Sequence, residues 1–511
     1  MSFLLDKKIE LYNMTDISSN ITCIIEEMDL TKLSKTELLE KCEELGIKKC
    51  KSKNKCELID LINVKTQPKK KWELISEEDE TENPQLLSSK KNDNQQINDN
   101  QQINDNQQIN INYSNLSINL TKNIDSNEKK NFGIYFTPPK TIIKNIKILE
   151  PYMSKVKNVL EPSCGSCEYI LLLNQKYDLN IVGIEYHKDI YEGIKHIQTD
   201  SHKIKLYNKN YLNYLTEEKY DLIIGNPPYF VMSKEDVEPN YYSYFDGRPN
   251  IFILFIIKSI QLLNDGGILS FVLPKNFLNC LYYDKTRKYI YENLKIIDII
   301  ECNDNYLETS QETIIMIIQK NNDILNNRVF SLNKNKYTIF GLPENIHKLN
   351  ELYKGSKTLD QLGFKVNVGN IVWNQCINEL TNDSTKTLLI YSSDIKNNNL
   401  NIQTYKNKSK KNYINREGET TPLLVINRGY GVGKYNFTYC LINIEKEYCI
   451  ENHLICVRYI NNITNNNLRL LYEKIIMSFE KKQTKEFIKL YFGNNAINTT
   501  ELCEILPIYD I

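Results

Sequence analysis

From residue 131 to about 320, short apolar runs alternate with longer mixed stretches. Seven of the runs read as strands: NVLE (158–161), IVGIE (181–185), IKLY (204–207), DLIIG (221–225), ILSFVL (268–273), IIDIIE (296–301) and TIIMIIQ (313–319). Each is short and bounded by polar or turn-forming residues, and helical stretches lie between most of them. That alternation predicts an α/β domain in which a mostly parallel sheet carries helices on both faces.

The flanking regions differ. Residues 30–65 hold two helical patterns: Ser34 and Glu37 stand at capping-box spacing before LLEKCEEL, Gly46 is a helix stop, and KCELIDLI follows. Residues 1–29 are an N-terminal segment ahead of this module. Residues 66–130 read as a disordered linker containing three copies of NDNQQI from Asn92 onward. Polar repeats this short offer no apolar face to bury. Residues 331–511 mix strands and helices less regularly, are rich in Asn and Lys, and include NRGYGVGKY (427–435). They read as a separate domain of mixed α/β structure.

Composition narrows the class. At 511 residues there is room for about two or three domains. With 41% hydrophobic and 25% charged residues, the composition is that of a soluble protein. Asp6, Lys7 and Lys8 interrupt the only apolar start, so no secretory signal is read. IFILFII is too short to span a bilayer and is followed by Lys258, so no membrane partner is expected. Thirteen scattered cysteines without a disulfide framework suggest reduced thiols inside a cell. Cys164 and Cys167 form a CxxC with no second ligand pair, so they read as loop thiols and no metal is expected. Net charge is zero, but KNKSKKNYINR (406–416) is locally basic, either a solvated face or a nucleic-acid contact.

Candidate chemistry sits at strand ends. In YDLIIGNPPYF (220–230) two prolines stop the strand's ladder where a parallel sheet places its ligand site. The first strand runs into EPSCGSCEY (161–169), whose small residues let the backbone turn tightly against a ligand. The second ends at Glu185, placed either to accept hydrogen bonds from two ribose hydroxyls or to cap the following helix.

GIYFTPP (133–139), LEPSCGS, VGIEYH, IIGNPPY, GGILSFVLPKNFL and NYLETSQETIIMIIQK (305–320), in that order, resemble the motifs of the S-adenosylmethionine-dependent N6-adenine DNA methyltransferases in their gamma arrangement. The resemblance implies a Rossmann-like, seven-stranded methyltransferase domain over 131–330 and a target-recognition domain over 331–511. It implies S-adenosylmethionine as cofactor. Tyr135, Thr137 and the loop of Glu161, Pro162, Ser163 and Gly165 would meet its methionine part, and Glu185 its ribose. Asn210, with Tyr211 beside it, falls where the family usually has an acidic residue on the cofactor's adenine amine. An Asn accepts that bond without a charge. Phe255 would pack on the cofactor's adenine. Asn226, Pro227, Pro228 and Tyr229 would be catalytic, Tyr229 and Tyr306 would flank the target base, and Arg428 and Lys434 would contact DNA, unless they are solvated charges on a glycine hairpin. The 30–65 module weakly resembles the DNA-binding SAP pair; a helical hairpin for protein contacts is the other reading. Duplex DNA is the implied partner, with a separately encoded restriction endonuclease alongside a monomeric enzyme, located in the cytoplasm or, if virus-encoded, in a viral factory.

The motif has a physical rationale. An adenine amine is a poor nucleophile because its lone pair is delocalised into the ring. The resemblance implies that the Asn226 side-chain oxygen and the Pro227 carbonyl accept its two hydrogens, favouring a tetrahedral nitrogen and stabilising its growing positive charge. Inside a duplex that amine is out of reach, so the base must be extruded and stacked between aromatics. NPPY also occurs in methyltransferases acting on structured RNA or a protein glutamine, which is the alternative. The absence of an activated Pro-Cys disfavours cytosine-C5 chemistry. On this division of the chain, deleting residues 1–125 should leave catalysis intact.

Overall fold

A computed structural model describes residues 34–45, 55, 58, 62, 112–199, 203–321, 324–428, 436–493 and 496–511. The chain divides into two compact units, Met1–Glu78 and Asp79–Ile511.

In the first unit, helix α1 (Lys35–Glu44) starts at the expected capping box. The Glu37 N–H donates to Ser34 Oγ (3.3 Å) and the Ser34 N–H to Glu37 Oε2 (2.6 Å), so two orphan helix-start donors are satisfied reciprocally. Leu38 and Cys42, one turn apart, bury against Leu58 and Ile62, which are also helical. The 1–29 segment lies outside the described residues.

The second unit begins earlier than expected. Residues 112–130, read as linker, carry two helices, α2 (Asn115–Asn123) and α3 (Ser126–Phe132). Ser114 caps α2 by accepting from the Ser117 N–H, and Asp125 caps α3 by accepting from Asn127 and Glu128. Leu116, Leu120 and Ile124 recur every fourth residue, one helical stripe, and join the core below the sheet. The signal was present but short, and it followed directly on the polar repeats. The rest of the linker, 66–111, lies outside the described residues.

After α4 (Pro139–Leu149) the alternation is realised: β1 (Asn158–Glu161), α5 (Glu168–Lys176), β2 (Asn180–Glu185), α6 (Lys188–Ile194), β3 (Ile204–Asn208), β4 (Tyr220–Gly225), α7 (Ile251–Leu262), β5 (Leu263–Pro274), α8 (Asp284–Asn293), β6 (Lys295–Cys302) and β7 (Thr313–Gln319). The seven strands form one sheet in the order β3-β2-β1-β4-β5-β7-β6. All neighbours are parallel except β7, which runs antiparallel to both β5 and β6. Alternate strand residues enter opposite cores: Leu160, Ile184 and Ile223 pack toward α7, while Val159, Ile181 and Leu222 pack toward α4 and α5. Helix α7 is apolar almost all round and buried on every side but Gln261, as a helix sunk in the core must be. Its Lys258 is satisfied by donating to the Leu212 and Tyr214 carbonyls, both at 2.8 Å. Among the described residues no helix is long and apolar enough to cross a membrane.

The order reverses direction between β1 and β4. Chain leaves β1 toward β2 and β3 on one side, and β4 leads to β5 on the other, so the connections diverge at the carboxyl ends, where open α/β sheets bind their ligands. Glu161, Glu185 and Gly225 are the terminal residues of β1, β2 and β4 and therefore share that edge.

The C-terminal region is of mixed α/β structure, with two four-stranded sheets and helices at Asn465–Glu480, Lys482–Tyr491 and Thr499–Glu504. It belongs to the same compact unit as the seven-stranded sheet. Buried Arg287 of α8 helps join them: Nε donates to the Thr338 carbonyl (2.5 Å) and Nη1 to those of Phe277 (2.9 Å) and Cys280 (2.7 Å).

Candidate active site

Three segments converge on Asn226, just beyond β4. Its side-chain Nδ2 donates to the Tyr135 carbonyl (3.2 Å) and its Oδ1 accepts from the Tyr229 hydroxyl (2.5 Å). Its main-chain carbonyl accepts from Ser163 Oγ (3.0 Å). The opening motif, the loop after β1 and the NPPY motif are thus one hydrogen-bonded assembly. Gly133 completes it: at φ +64°, an added Cβ would lie 2.7 Å from the Tyr229 amide nitrogen and 3.2 Å from Pro228 Cβ. Only glycine permits that approach in that conformation.

Glu185 is buried at the end of β2. Its Oε2 accepts from the Gly165 N–H (2.9 Å) and its Oε1 from the His187 N–H (2.7 Å). His187 is the residue before α6, so Glu185 tethers a helix start, as one of its two sequence readings expects, as well as the β1 loop. Each carboxylate oxygen keeps a lone pair for a further donor. Burial raises its pKa despite those bonds. Glu161 is buried too, and its Oε2 has no hydrogen-bond partner. Burial first, then the neighbouring Cys167, Glu185 and Glu168, push its carboxyl well up. A side chain at Gly225 (φ +150°) would meet Glu161 Cγ at 3.3 Å and its Oε1 at 3.7 Å, which places the Glu161 side chain against the start of the NPPY turn. An unpartnered carboxyl oxygen beside a second buried carboxyl, at the switch point of the sheet, fits a ligand rich in amine and hydroxyl donors, as S-adenosylmethionine is.

Other expected residues are placed less simply. Thr137 and Pro162 are buried next to these groups in sequence. Asn210 is exposed, and its side-chain oxygen accepts from the Leu212 N–H (2.9 Å), a local cap that takes one of its lone pairs. Tyr211, expected beside the cofactor, is a core residue: it is 1% exposed, its hydroxyl bonds Ser259 Oγ (2.9 Å), and its ring packs 4.9 Å from Phe255. Phe255 is buried with it, because α7 presents no solvent face there. Tyr229 is turned inward. Its one hydroxyl proton lies within reach of two acceptors, Asn226 Oδ1 and the Val272 carbonyl (2.8 Å), and its ring meets Phe252 edge-on. Tyr306 is 8% exposed with a hydroxyl that lacks a partner. Burial, then the nearby Tyr306, drives the Tyr229 phenol well above its usual pKa, so it is a neutral donor. Arg428 is exposed at the end of strand Leu423–Asn427, and Lys434 lies outside the described residues. Cys164 and Cys167 are buried free thiols, and no metal-binding cluster occurs among the described residues.

The sequence reading passed over the side chains that brace these loops. Ser114 Oγ donates to Glu168 Oε1 (2.6 Å), and Ser117 Oγ lies 2.5 Å from the same oxygen and 2.8 Å from Ser166 Oγ. Lys129 Nζ donates to Glu308 Oε1 (2.7 Å), and Glu128 Oε1 pairs with His187 Nε2 (3.0 Å). Only a three-dimensional arrangement puts α2 and α3 beside loops 40 to 180 residues away, as sequence separations of 54 and 179 for two of these pairs show.

The sheet order and the strand-end carboxyls define the class: a Rossmann-like methyltransferase with S-adenosylmethionine as methyl donor. The family model of the Eco57I restriction-modification methylase matches residues 25–307, more than half of the chain, and the chain belongs to that family of DNA methyltransferases. It is 28% identical over 410 residues to the Type II methyltransferase M.CvrRI of Paramecium bursaria Chlorella virus XZ-6E, covering 78% of this chain and 99% of that one. It is 23% identical over 407 residues to the modification methylase CviBIII of Paramecium bursaria Chlorella virus NC1A, with the same coverage of 78% and 99%. A shorter match, 28% over 221 residues, links it to the Type II methyltransferase M.AccI of Acinetobacter calcoaceticus, covering 40% of this chain and 39% of that one. Among solved structures, the type IIG restriction endonuclease BpuSI aligns over 78% of this chain and 60% of that one, at 11% identity and a TM-score of 0.37.

Proposed function

We propose that the protein methylates the N6 amine of an adenine extruded from duplex DNA, as the modification enzyme beside a separately encoded restriction endonuclease. The observation that carries the adenine reading is the fixed Asn226 amide. Its Nδ2 bond to the Tyr135 carbonyl sets which end of the amide is oxygen, and its Oδ1 can accept a second hydrogen. The adjoining Pro227 carbonyl is held by a turn of two prolines. Two acceptors fixed before the substrate arrives suit an NH2 group whose nitrogen gains positive charge.

Glu185 and Glu161 would hold the cofactor, which when bound supplies an electrophilic sulfonium methyl. The chain's own contribution is positional. Asn226 and Pro227 bind the amine hydrogens. Tyr229 gives up its bond to Asn226 as the amine takes it, with the Val272 carbonyl ready to keep the hydroxyl proton satisfied. For Tyr229 and Tyr306 to wall the extruded base, both rings must turn from the inward positions they hold here, and stacking then returns roughly 1–3 kcal/mol per base. Arg428 and Lys434 contact the DNA backbone or bases in this reading. The relatives' names, Type II methyltransferase and modification methylase, support DNA as substrate and a nuclease as partner.

The test is direct. Full-length protein is incubated with tritiated S-adenosylmethionine and duplex DNA, RNA or protein, and the products are digested and chromatographed. Label in N6-methyladenine of DNA is expected. Label in glutamine, RNA or another DNA base would overturn the assignment.

A further inference from the structure

Helices α2 and α3 touch three loops on the active-site side of the sheet. At the loop after β1, Ser114 and Ser117 meet Glu168 and Ser166. At the loop after β2, Glu128 pairs with His187, and the Phe132 ring packs against Tyr186 (5.9 Å) and His187 (6.0 Å), directly beyond Glu185. At the loop between β6 and β7, Lys129 binds both oxygens of Glu308, at 2.7 and 3.0 Å, two residues from Tyr306. A cleft runs between this pair of helices and the active-site side, lined by Thr121, Ile124, Lys129, Tyr135, Phe136 and Tyr306. Ser117 is fully buried and Lys129 nearly so, and both bond across to the loops on which the helices dock.

We propose that α2 and α3 form a clasp that retains the methyl donor, with Ser117 and Lys129 as its positioning residues. In this proposal the donor leaves as the loops after β1 and β2 part, and the clasp ties both to each other and to the Tyr306 loop. The inference rests on the cofactor reading above and goes beyond it, since it assigns control of donor release to residues that touch neither cofactor nor base. It also moves the start of the catalytic unit: a cut at residue 125 removes α2 and with it the bond to Glu168.

The experiment uses full-length protein loaded with tritiated S-adenosylmethionine and chased with unlabelled donor. Ser117→Ala and Lys129→Met should each speed release roughly tenfold, since interface losses show mainly in dissociation rates. Lys129→Arg, which keeps the charge on Glu308, should restore slow release. Leu502→Ala, a cavity in the C-terminal core, serves as a control for general loosening and should release at the wild-type rate. Wild-type release from both Ser117→Ala and Lys129→Met would overturn the clasp alone. So would equally fast release from Leu502→Ala, or no rescue by arginine. A wild-type chain that binds no S-adenosylmethionine would overturn the cofactor reading and the clasp together.

Discussion

Replacing Asn226 with alanine separates catalysis from cofactor binding in a way the hydrogen bonds dictate. The substitution removes Oδ1, one of the two acceptors assigned to the amine, and Nδ2, which fixes its direction. Loss of one preorganised partner of developing charge typically lowers kcat by about 10²–10³, or roughly 2.7–4 kcal/mol. Folding should suffer much less. Tyr229 retains the Val272 carbonyl as an acceptor, so the main loss is the bond to the Tyr135 carbonyl, worth about 1 kcal/mol. Donor affinity should hold, because the link from the cofactor loop runs from Ser163 Oγ to the main-chain carbonyl of residue 226, which alanine keeps. Single-turnover methyl transfer to duplex DNA, with equilibrium dialysis of tritiated donor, reads both quantities. A fall in kcat below about tenfold, or a loss of donor affinity parallel to the loss of rate, would refute the assigned role.

Gly133→Ala should lower stability by about 1–2 kcal/mol from the left-handed backbone alone, and reduce kcat as the Pro228–Tyr229 backbone shifts; a urea midpoint and a kcat both unchanged would contradict it. Donor affinity should be full at high pH and fall as pH drops through the raised pKa of Glu185, earlier than for an exposed carboxyl, because burial favours the protonated form that cannot accept through both oxygens; pH-dependent dialysis checks this. Glu501, pushed up to about 7 by burial, affects folding with the opposite sign. The unfolded chain releases its proton near 4.5 and the folded one near 7, so stability declines between those values and levels off above them. Glu501→Gln should therefore be more stable than wild type at pH 8 by roughly 3 kcal/mol, and close to it at pH 4.5; equal gains at both would refute the titration.

All seven strands of the catalytic sheet were legible because each is a short apolar run between breakers, and a strand covered on both faces needs little else. The carboxyls at 161 and 185 and the turn at 226 were legible for a related reason: a parallel sheet puts its chemistry at strand ends, and those ends are visible in one dimension. The chain's own order of residues also determined the α1 capping box, which is a contact between neighbours three apart. Contacts between distant segments were decided elsewhere. Nothing local says that Ser117 meets Glu168, that Lys129 meets Glu308, or that Tyr229 points its hydroxyl at Asn226 and not its face at solvent. Nor does it say that Tyr211 and Phe255 cover one another. Local pattern records each segment's preference for a helix, a strand or a turn, because those depend on near neighbours. Which faces meet depends on the packing of the whole sheet and its loops, and a helix as short as α2 or α3 is stabilised by that docking more than by its own propensity.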